Sequence, residues 1–262
     1  MNIGFIGAGN MGGALAKAIS KNLETNIYIY DKSCEKADEL ARSINACATD
    51  FNEVVKNSDF IFLGVKPNVL AEVAREVGTL VRTDTVIVSM AAGVEIQAIE
   101  EALAKKLPIV RIMPNTPVAV GEGLTAYATN SLVSEQNIRS FEKFMSFTGS
   151  LEYMQEDEID TFCAIAGCGP AYAYMFIEAL AKGAQKCGAN SAAAIKYASK
   201  MVRGSALMAL ESGIDPKTLC RNVCSPGGAT IEGVKVLEAR GFEDAVSSAI
   251  EAAFKRTKEL GK

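Results

Sequence analysis

Three glycines near the start of the chain constrain its fold more than any other feature. Gly7, Gly9 and Gly12 have the spacing G-x-G-x-x-G, directly after the strand-like run NIGFI and directly before the helical pattern MGGALAKAI. In this context, glycines let the backbone approach a pyrophosphate, whose charge is met by N–H groups at the start of the following helix. The pattern predicts a βαβ unit that binds a dinucleotide; the alternative is a glycine-rich turn without a ligand.

An acidic residue follows at the end of the next strand-like run, residues 26–30. Asp31 stands where a partner for a ribose hydroxyl is expected, and its carboxylate would repel a 2′-phosphate, which favours NADH. Lys32 and Ser33 favour NADPH, because a cation and a hydroxyl can hold that phosphate if Asp31 turns aside. The residues alone leave the choice between the two dinucleotides open.

The pattern of secondary structure changes near residue 153. Before it, strand-like runs alternate with helical patterns, which is typical of a mostly parallel sheet covered by helices. After it, helical periodicity dominates, and several helices are apolar over a wide arc, which indicates packing on more than one side. We predict an α/β fold, with a Rossmann-type dinucleotide-binding domain over residues 1–153 and an all-α domain over residues 154–262. The predicted strands are 2–6, 26–30, 60–65, 85–89, 109–112, 124–128 and 151–154; the predicted helices include 67–80, 95–106, 134–147, 159–165, 171–187, 191–211, 216–223, 230–238 and 242–260.

Composition excludes several classes of partner. The net charge is −4, and no run of Lys or Arg exceeds a pair, so we expect neither a nucleic acid nor an anionic membrane surface to bind. The chain opens without a basic region, and we expect neither a signal peptide nor an apolar run long enough to span a bilayer. Seven cysteines without C-x-x-C spacing indicate a reducing cytoplasm.

The absence of histidine from the sequence limits the chemistry. With no zinc-type cysteine pairs either, we expect no metal site. No imidazole can act as the general acid or base. Any proton transfer must therefore use another group or water.

Further candidate segments follow later strands. Gly64 to Pro67 and Met90 to Gly93 are expected at the crevice beyond the carboxyl ends of the strands, where ligands bind in open α/β sheets. The alternatives are that Lys66 is a solvated surface lysine and that Ala-Ala-Gly is a simple turn. The loop MPNTP, residues 113–117, is rigidified by two prolines and is either part of the site or a stiff connection.

The helical region contains one unusual segment, SPGGATIEG, at residues 225–233. Ser225, Pro226, Gly227 and Gly228 are typical of a turn, and Thr230 falls in the first turn of the next helix. The unpaired N–H groups at such a helix start suit a carboxylate. The alternative is an ordinary helix cap.

An ordered series of segments resembles the pyrroline-5-carboxylate reductase family over nearly the whole chain. The segments are FIGAGNMGGA, VKP, SMAAGV, RIMPNTP, GEG, CGPAYAYMFIEALA and CSPGGATIEGVKVLEARGF. The resemblance implies reduction of the cyclic imine 1-pyrroline-5-carboxylate to L-proline, the last step of proline biosynthesis, with NADPH as cofactor and NADH as the alternative. It also implies that the helical domain provides dimerisation and substrate binding, in a homodimer and in larger homo-oligomers of dimers.

The resemblance also implies the site residues. Thr230 is the expected catalytic residue, orienting the imine nitrogen or relaying a proton from water. Substrate binding is expected at Ser225, Gly227, Gly228, Ala229 and Thr230. Besides Asp31, Lys32 and Ser33, the expected cofactor contacts are Ile6, Gly7, Ala8, Gly9, Asn10, Met11, Asn52, Gly64, Val65, Lys66, Pro67, Met90, Ala91, Ala92 and Asn222.

The chain departs from the family pattern in two places. Ala166 and Cys168 replace two serines of the usual S-G-S-G-P-A-Y segment, which bears on substrate affinity because a thiol is a weaker donor. The strand end Asp31-Lys32-Ser33 also differs from many relatives, which bears on the choice of dinucleotide. Cys168 and Cys224 flank the expected site, but no base is available to activate either thiol as a nucleophile.

Two other functions fit the domain pattern. A related 2-hydroxyacid or other imine reductase could share both domains, but the helical domain lacks the lysine motif on which such hydroxyacid enzymes rely. A non-catalytic dinucleotide-binding module, such as a redox sensor, would bind the cofactor without turnover and has no need of the SPGGAT segment.

Overall fold

The computed structural model describes residues 1–22 and 24–260, and the chain forms two compact units. The first consists of Met1–Cys168 and the described part of Ala253–Lys262, and the second is Gly169–Ala252. The sequence instead predicts a domain boundary after residue 153. Residues 154–168 and 253–260 therefore lie in the first unit, and the limits of the functional domains stay a prediction.

An eight-stranded sheet forms the first unit, with strand order β3-β2-β1-β4-β5-β6-β7-β8. Its neighbouring strands are parallel except for β6 and β7, which are antiparallel. This confirms the predicted α/β class with a mostly parallel sheet. The strands are β1 (Asn2–Ile6), β2 (Asn26–Tyr30), β3 (Cys47–Ala48), β4 (Phe60–Leu63), β5 (Val86–Ser89), β6 (Ile109–Met113), β7 (Gly123–Thr129) and β8 (Gly149–Tyr153).

Apolar side chains on both faces bury the central strands. Every residue of β4, β5 and β6 is buried, as expected for parallel strands covered on both sides. On one face, Phe5 and Phe62 stack with their ring centroids 4.7 Å apart; on the other, Ile61 and Leu63 join a second cluster. The helices of this unit are α1 (Asn10–Ile19), α2 (Cys34–Ile44), α3 (Phe51–Asn57), α4 (Pro67–Leu80), α5 (Ile96–Leu103), α6 (Glu135–Met145) and α7 (Ile159–Phe162).

Three elements differ most from the prediction. The two-residue strand β3 was not predicted. Helix α5 ends at Leu103 rather than residue 106, because Ala104 adopts a left-handed conformation with φ of 49°. The helix predicted over 159–165 is α7 followed by a π-helical turn, Cys163–Gly167.

The second unit is helical, as predicted. Its helices are α8 (Gly169–Lys186), α9 (Ser191–Glu211), α10 (Pro216–Asn222), α11 (Ala229–Ala239) and the first part of α12 (Phe242–Leu260). The buried hydrophobic residues of the unit are all small, namely Ala181, Ala194 and Ala198. Many large apolar side chains are exposed, including Tyr174, Met175, Ile195, Tyr197, Met201, Leu207, Met208, Leu210, Val223 and Val236. The unit therefore carries much more apolar surface than it covers by its own folding.

One helical stretch bears on the expectation that no segment could cross a membrane. The 31-residue stretch Glu156–Lys186 is long and apolar enough to do so by length and composition, so that expectation was wrong as stated. A single such stretch is weak evidence for a membrane span, because a helix that packs against protein passes the same test.

Candidate active site

The glycine loop lies where the order of the strands reverses. Strand β1 pairs with β2 on one side and with β4 on the other, which makes this edge the switch point at which open α/β sheets bind ligands. The Gly7 N–H donates to the Tyr30 carbonyl, and the Gly64 N–H donates to the Ile6 carbonyl, both at 2.8 Å. Backbone hydrogen bonds thus join the ends of β1, β2 and β4.

The glycines of this loop serve two different purposes. A Cβ on Gly7 would lie 2.6 Å from the Gly64 carbonyl oxygen, and a Cβ on Gly12 would lie 2.5 Å from the Gly7 carbonyl oxygen. Gly7 also has a φ of +108°, a backbone conformation that residues other than glycine rarely adopt. By contrast, a Cβ on Gly9 would have no neighbour within 4 Å. Gly7 and Gly12 allow close backbone packing, whereas Gly9 keeps open space at the surface.

Gly9 is also the N-cap of α1. A glycine cap has no side-chain acceptor, so it leaves the first N–H groups of the helix available to another acceptor. The open space and the unused donors fit the pyrophosphate of a dinucleotide. The loop therefore fits the dinucleotide predicted from the sequence.

Asp31 bonds to the protein backbone in this structure. Its Oδ2 accepts a hydrogen bond from the Ala8 N–H at 2.8 Å, and its Oδ1 accepts one from the Ser33 N–H at 2.9 Å. The sequence predicts a ribose contact for Asp31, and this role stays a prediction. Lys32 is exposed, and Ser33, half-buried, is the N-cap of α2.

The other expected cofactor residues of the first unit also follow the carboxyl ends of strands. Gly64 to Pro67 follow β4, with Lys66 as the N-cap of α4 and Pro67 at its first position. Met90 to Ala92 follow β5, and the Ala91 N–H contacts the Ser89 hydroxyl at 3.4 Å. Asn52 is exposed near the start of α3. The strand order therefore places these segments along one edge of the sheet, whereas Asn222 ends α10 in the helical unit.

The SPGG segment forms a tight turn. The Gly228 N–H donates to the Ser225 carbonyl at 3.0 Å, and Gly227 has a φ of +70°. Proline followed by a glycine with positive φ matches the two central positions of a type II turn. This is why a helical region tolerates Pro226 and two glycines: they lie between α10 and α11.

Helix α11 begins directly after this turn. Its N-cap is Gly228, which offers no side-chain acceptor to the first N–H groups, as in α1. Ala229 and Thr230 are the first two residues of the helix, and both are exposed. The turn and helix start thus bring together the residues expected to bind substrate: Ser225, Gly227, Gly228, Ala229 and Thr230.

The cysteine near this turn is a poor nucleophile. Desolvation and the neighbouring thiol of Cys220 raise the pKa of Cys224. A raised pKa leaves less of the reactive thiolate at neutral pH. For Cys224, this agrees with the expectation that its thiol does not attack the substrate.

The structure gives Asn115 of the MPNTP loop a defined contact. Its Nδ2 donates to the Ala166 carbonyl at 3.1 Å, and its Oδ1 accepts from the Leu124 N–H at 2.9 Å. Asn115 is buried and links β7 to the π-helical turn. The sequence singled out this loop through its prolines, but it contained no signal for these partners.

Comparison with known proteins covers both units. Residues 156–260 match the family model described as pyrroline-5-carboxylate reductase dimerisation, and residues 2–93 match the model described as NADP oxidoreductase coenzyme F420-dependent. The chain is 38% identical to pyrroline-5-carboxylate reductase of Escherichia coli (strain K12), over 99% of this chain and 98% of that protein.

Solved structures give the same result. The pyrroline carboxylate reductase of Plasmodium falciparum, solved with NADP bound, superposes with a TM-score of 0.92 at 30% identity, covering 100% of this chain and 98% of that one. The 1-pyrroline-5-carboxylate reductase of Streptococcus pyogenes gives a TM-score of 0.91 at 33% identity, covering 99% and 98%. The chain belongs to the pyrroline-5-carboxylate reductase family.

Proposed function

We propose that this protein reduces 1-pyrroline-5-carboxylate to L-proline with a hydride from NADPH, the last step of proline biosynthesis. One observation carries the proposal: α1 and α11 both begin behind a glycine N-cap, Gly9 and Gly228. Helices α3, α6, α9 and α10 are capped instead by side chains that accept their first N–H groups, whereas α2, α4 and α5 lack such a bond but do not begin behind a glycine. The two glycine-capped starts lie at the two segments expected to bind anions.

The helix start at α11 suits the carboxylate of the substrate. N–H groups of Ala229 and Thr230 are oriented by the helix, and the partial positive charge of a helix N-terminus attracts an anion. The turn at Ser225, Gly227 and Gly228 frames the same space without bulky side chains. We assign these five residues to substrate binding.

The dinucleotide supplies the hydride when it is bound. The loop from Ile6 to Met11 would hold its pyrophosphate, and Gly64 to Pro67, Met90 to Ala92, Asn52 and Asn222 would complete its contacts. Asp31, Lys32 and Ser33 would lie at the ribose. The family model that matches residues 2–93 has NADP in its description, which favours NADPH as the donor. NADH is the alternative donor.

Thr230 would orient the imine nitrogen. A threonine hydroxyl is a poor acid, and the sequence has no histidine, so the proton would come through the hydroxyl from water. A substrate that arrives as the iminium would need orientation alone. Holding the reacting carbon against the nicotinamide supplies much of the rate.

We further propose that the protein is a cytoplasmic homodimer that assembles into a larger homo-oligomer of dimers. The exposed apolar side chains of the helical unit and the dimerisation model matched by residues 156–260 support the dimer. We propose no nucleic acid or membrane partner, because a net charge of −4 does not favour binding to polyanions. The proposed domains are residues 1–153 for the cofactor and 154–262 for dimerisation and substrate.

The first test is an assay of the purified protein with racemic pyrroline-5-carboxylate. We expect oxidation of NADPH to match the formation of proline, identified by mass spectrometry, and we would measure NADH in parallel. Cofactor binding without turnover of either dinucleotide would instead support a non-catalytic binding module.

A substitution at Thr230 tests the proposed mechanism. Thr230→Ala should lower kcat by roughly ten-fold or more, as expected when an orienting hydrogen bond is lost, and should leave the Kd for NADP⁺ unchanged. Thr230→Ser keeps the hydroxyl and serves as the matched control, with a kcat close to that of the wild type. An unchanged kcat in Thr230→Ala would remove Thr230 from the mechanism.

A further inference from the structure

The carboxylate of Asp31 joins two loops that the dinucleotide site needs. One loop is the glycine loop, which contributes the Ala8 N–H; the other is the turn after β2, which contributes the Ser33 N–H. Both hydrogen bonds are short, at 2.8 and 2.9 Å, and each is strengthened by the charge on its acceptor. Asp31 is half-buried, so these bonds are partly shielded from competing water.

These bonds direct both oxygens of Asp31 toward protein donors. A ribose-binding carboxylate would direct its oxygens toward the two sugar hydroxyls, and would thereby favour NADH over NADPH. Here the charge is engaged by backbone N–H groups. Each oxygen of Asp31 thus has one acceptor site occupied by a backbone N–H group, which leaves less of the carboxylate's charge to repel a 2′-phosphate.

Cationic side chains at this strand end and beside the glycine loop would reduce any penalty for a phosphate. Lys32 follows Asp31 directly and is exposed. Lys17 and Lys36 line a cavity of about 360 Å³ beside Gly9 and Asn10, with Glu39 as the acidic residue on its wall. The balance of charge there is positive.

We propose that Asp31 is a positioning residue: it fixes the glycine loop for either dinucleotide and does not select between them. This inference rests on the proposed function, because it assumes that the loop binds a dinucleotide. It predicts that removal of the carboxylate weakens NAD⁺ and NADP⁺ alike. A ribose-selecting Asp31 predicts instead that NAD⁺ affinity falls while NADP⁺ affinity holds or rises.

The test is to measure the Kd of NAD⁺ and of NADP⁺ by calorimetry for the wild type and for Asp31→Ala. We expect both constants to rise by about ten- to a hundred-fold, as for loss of a charged hydrogen bond, with their ratio unchanged within about two-fold. Asp31→Asn keeps one acceptor oxygen, so its two dissociation constants should lie between those of the wild type and of Asp31→Ala. Asp38→Ala removes an exposed carboxylate of the neighbouring helix α2 and should leave both constants unchanged.

A second readout separates positioning from a general loss of structure. Hydrogen exchange of the free protein should become faster at Ala8 in Asp31→Ala, with the strands of the sheet still protected. If Asp31→Ala does not fold, the changes in Kd for NAD⁺ and for NADP⁺ are compared in Asp31→Asn instead.

Two outcomes would contradict the proposal: one excludes only the positioning role of Asp31, and the other also excludes the proposed function. A ten-fold shift in the ratio of the two constants in the variants would overturn the positioning role alone. A wild-type protein that binds neither dinucleotide would overturn the proposed function and this inference with it.

Discussion

Gly9 and Gly64 lie at the same edge of the sheet but meet different surroundings. A Cβ on Gly64 would lie 2.8 Å from the Gly7 carbonyl oxygen, whereas a Cβ on Gly9 would meet open space. Backbone atoms cannot move aside as a flexible side chain can. Substitutions at these two residues can therefore distinguish an effect on the stability of the loop from an effect on ligand binding.

We expect Gly9→Ala to unfold at nearly the wild-type temperature but to bind NADP⁺ more weakly, because the added methyl group occupies the space proposed for the pyrophosphate. Gly64→Ala should lower the melting temperature, since the loop must shift to avoid a backbone collision. Thermal unfolding and calorimetry of both variants check this. Unchanged NADP⁺ binding in Gly9→Ala would contradict the pyrophosphate assignment.

Local sequence patterns indicate which segments form the site better than they indicate which residues are in contact. The glycine spacing and the SPGG turn were predictable because positive φ and close backbone approach leave few alternatives to glycine. The hydrogen bonds of Asp31 were not predictable, because a carboxylate at a strand end can accept a hydrogen bond from a ribose hydroxyl or from a backbone N–H group. Asn115 bonds to residues 9 and 51 positions away, and local patterns carry no information on such partners.

A buried arginine of β6 pairs with two carboxylates, one just before α7 and one within it. Arg111 is 1% exposed; its Nη2 lies 2.7 Å from an Asp160 oxygen and its Nη1 lies 3.2 Å from a Glu156 oxygen. The same Glu156 oxygen accepts the Ile96 N–H at the start of α5. The Arg111 Nε is buried without a hydrogen-bond partner among the described residues, so the guanidinium depends on these two carboxylates.

We expect Asp160→Asn to reduce the free energy of unfolding by about 3–5 kcal/mol, because it leaves a buried charge without its closest partner. Replacing the exposed Glu135, which pairs with Arg139 on α6, by Gln is the control and should have little effect. Urea unfolding of the two variants measures the difference. Equal stability of both would show that Glu156 alone compensates Arg111.

The elements that sequence analysis missed are short or change geometry within a helix. Strand β3 has two residues, too few for a pattern of alternation to emerge. The π-helical turn at Cys163–Gly167 follows α7 without a proline or a charge pattern to mark it. The longer strands were predicted because their apolar runs are bounded by turn residues, and the longer helices because their apolar residues recur at helical spacing over many positions.

The helical unit has little apolar core of its own. Its buried hydrophobic residues are alanines, while Leu210 and Met175 are 80% and 69% exposed. Apolar surface of this extent marks a protein interface. Association with a second copy would bury it through the hydrophobic effect.

Light scattering after gel filtration should therefore give a molar mass of at least twice the 27.8 kDa of one chain. Because apolar burial drives the association, the mass should not fall when salt is raised from 0.1 to 1 M, conditions that screen surface charges. A species of 27.8 kDa at micromolar concentration would contradict the proposed homodimer.

The path of the chain also has a consequence for its synthesis. The chain leaves the sheet unit after Cys168 and rejoins it at Ala253; there Thr257 is buried against Cys163, and Lys258 lies 3.8 Å from Asp160. At roughly 5–20 residues per second, a ribosome needs several seconds to make the intervening segment. The unit that is translated first is thus completed last, and the nascent sheet must wait for the final helix before Asp160 and Cys163 are covered.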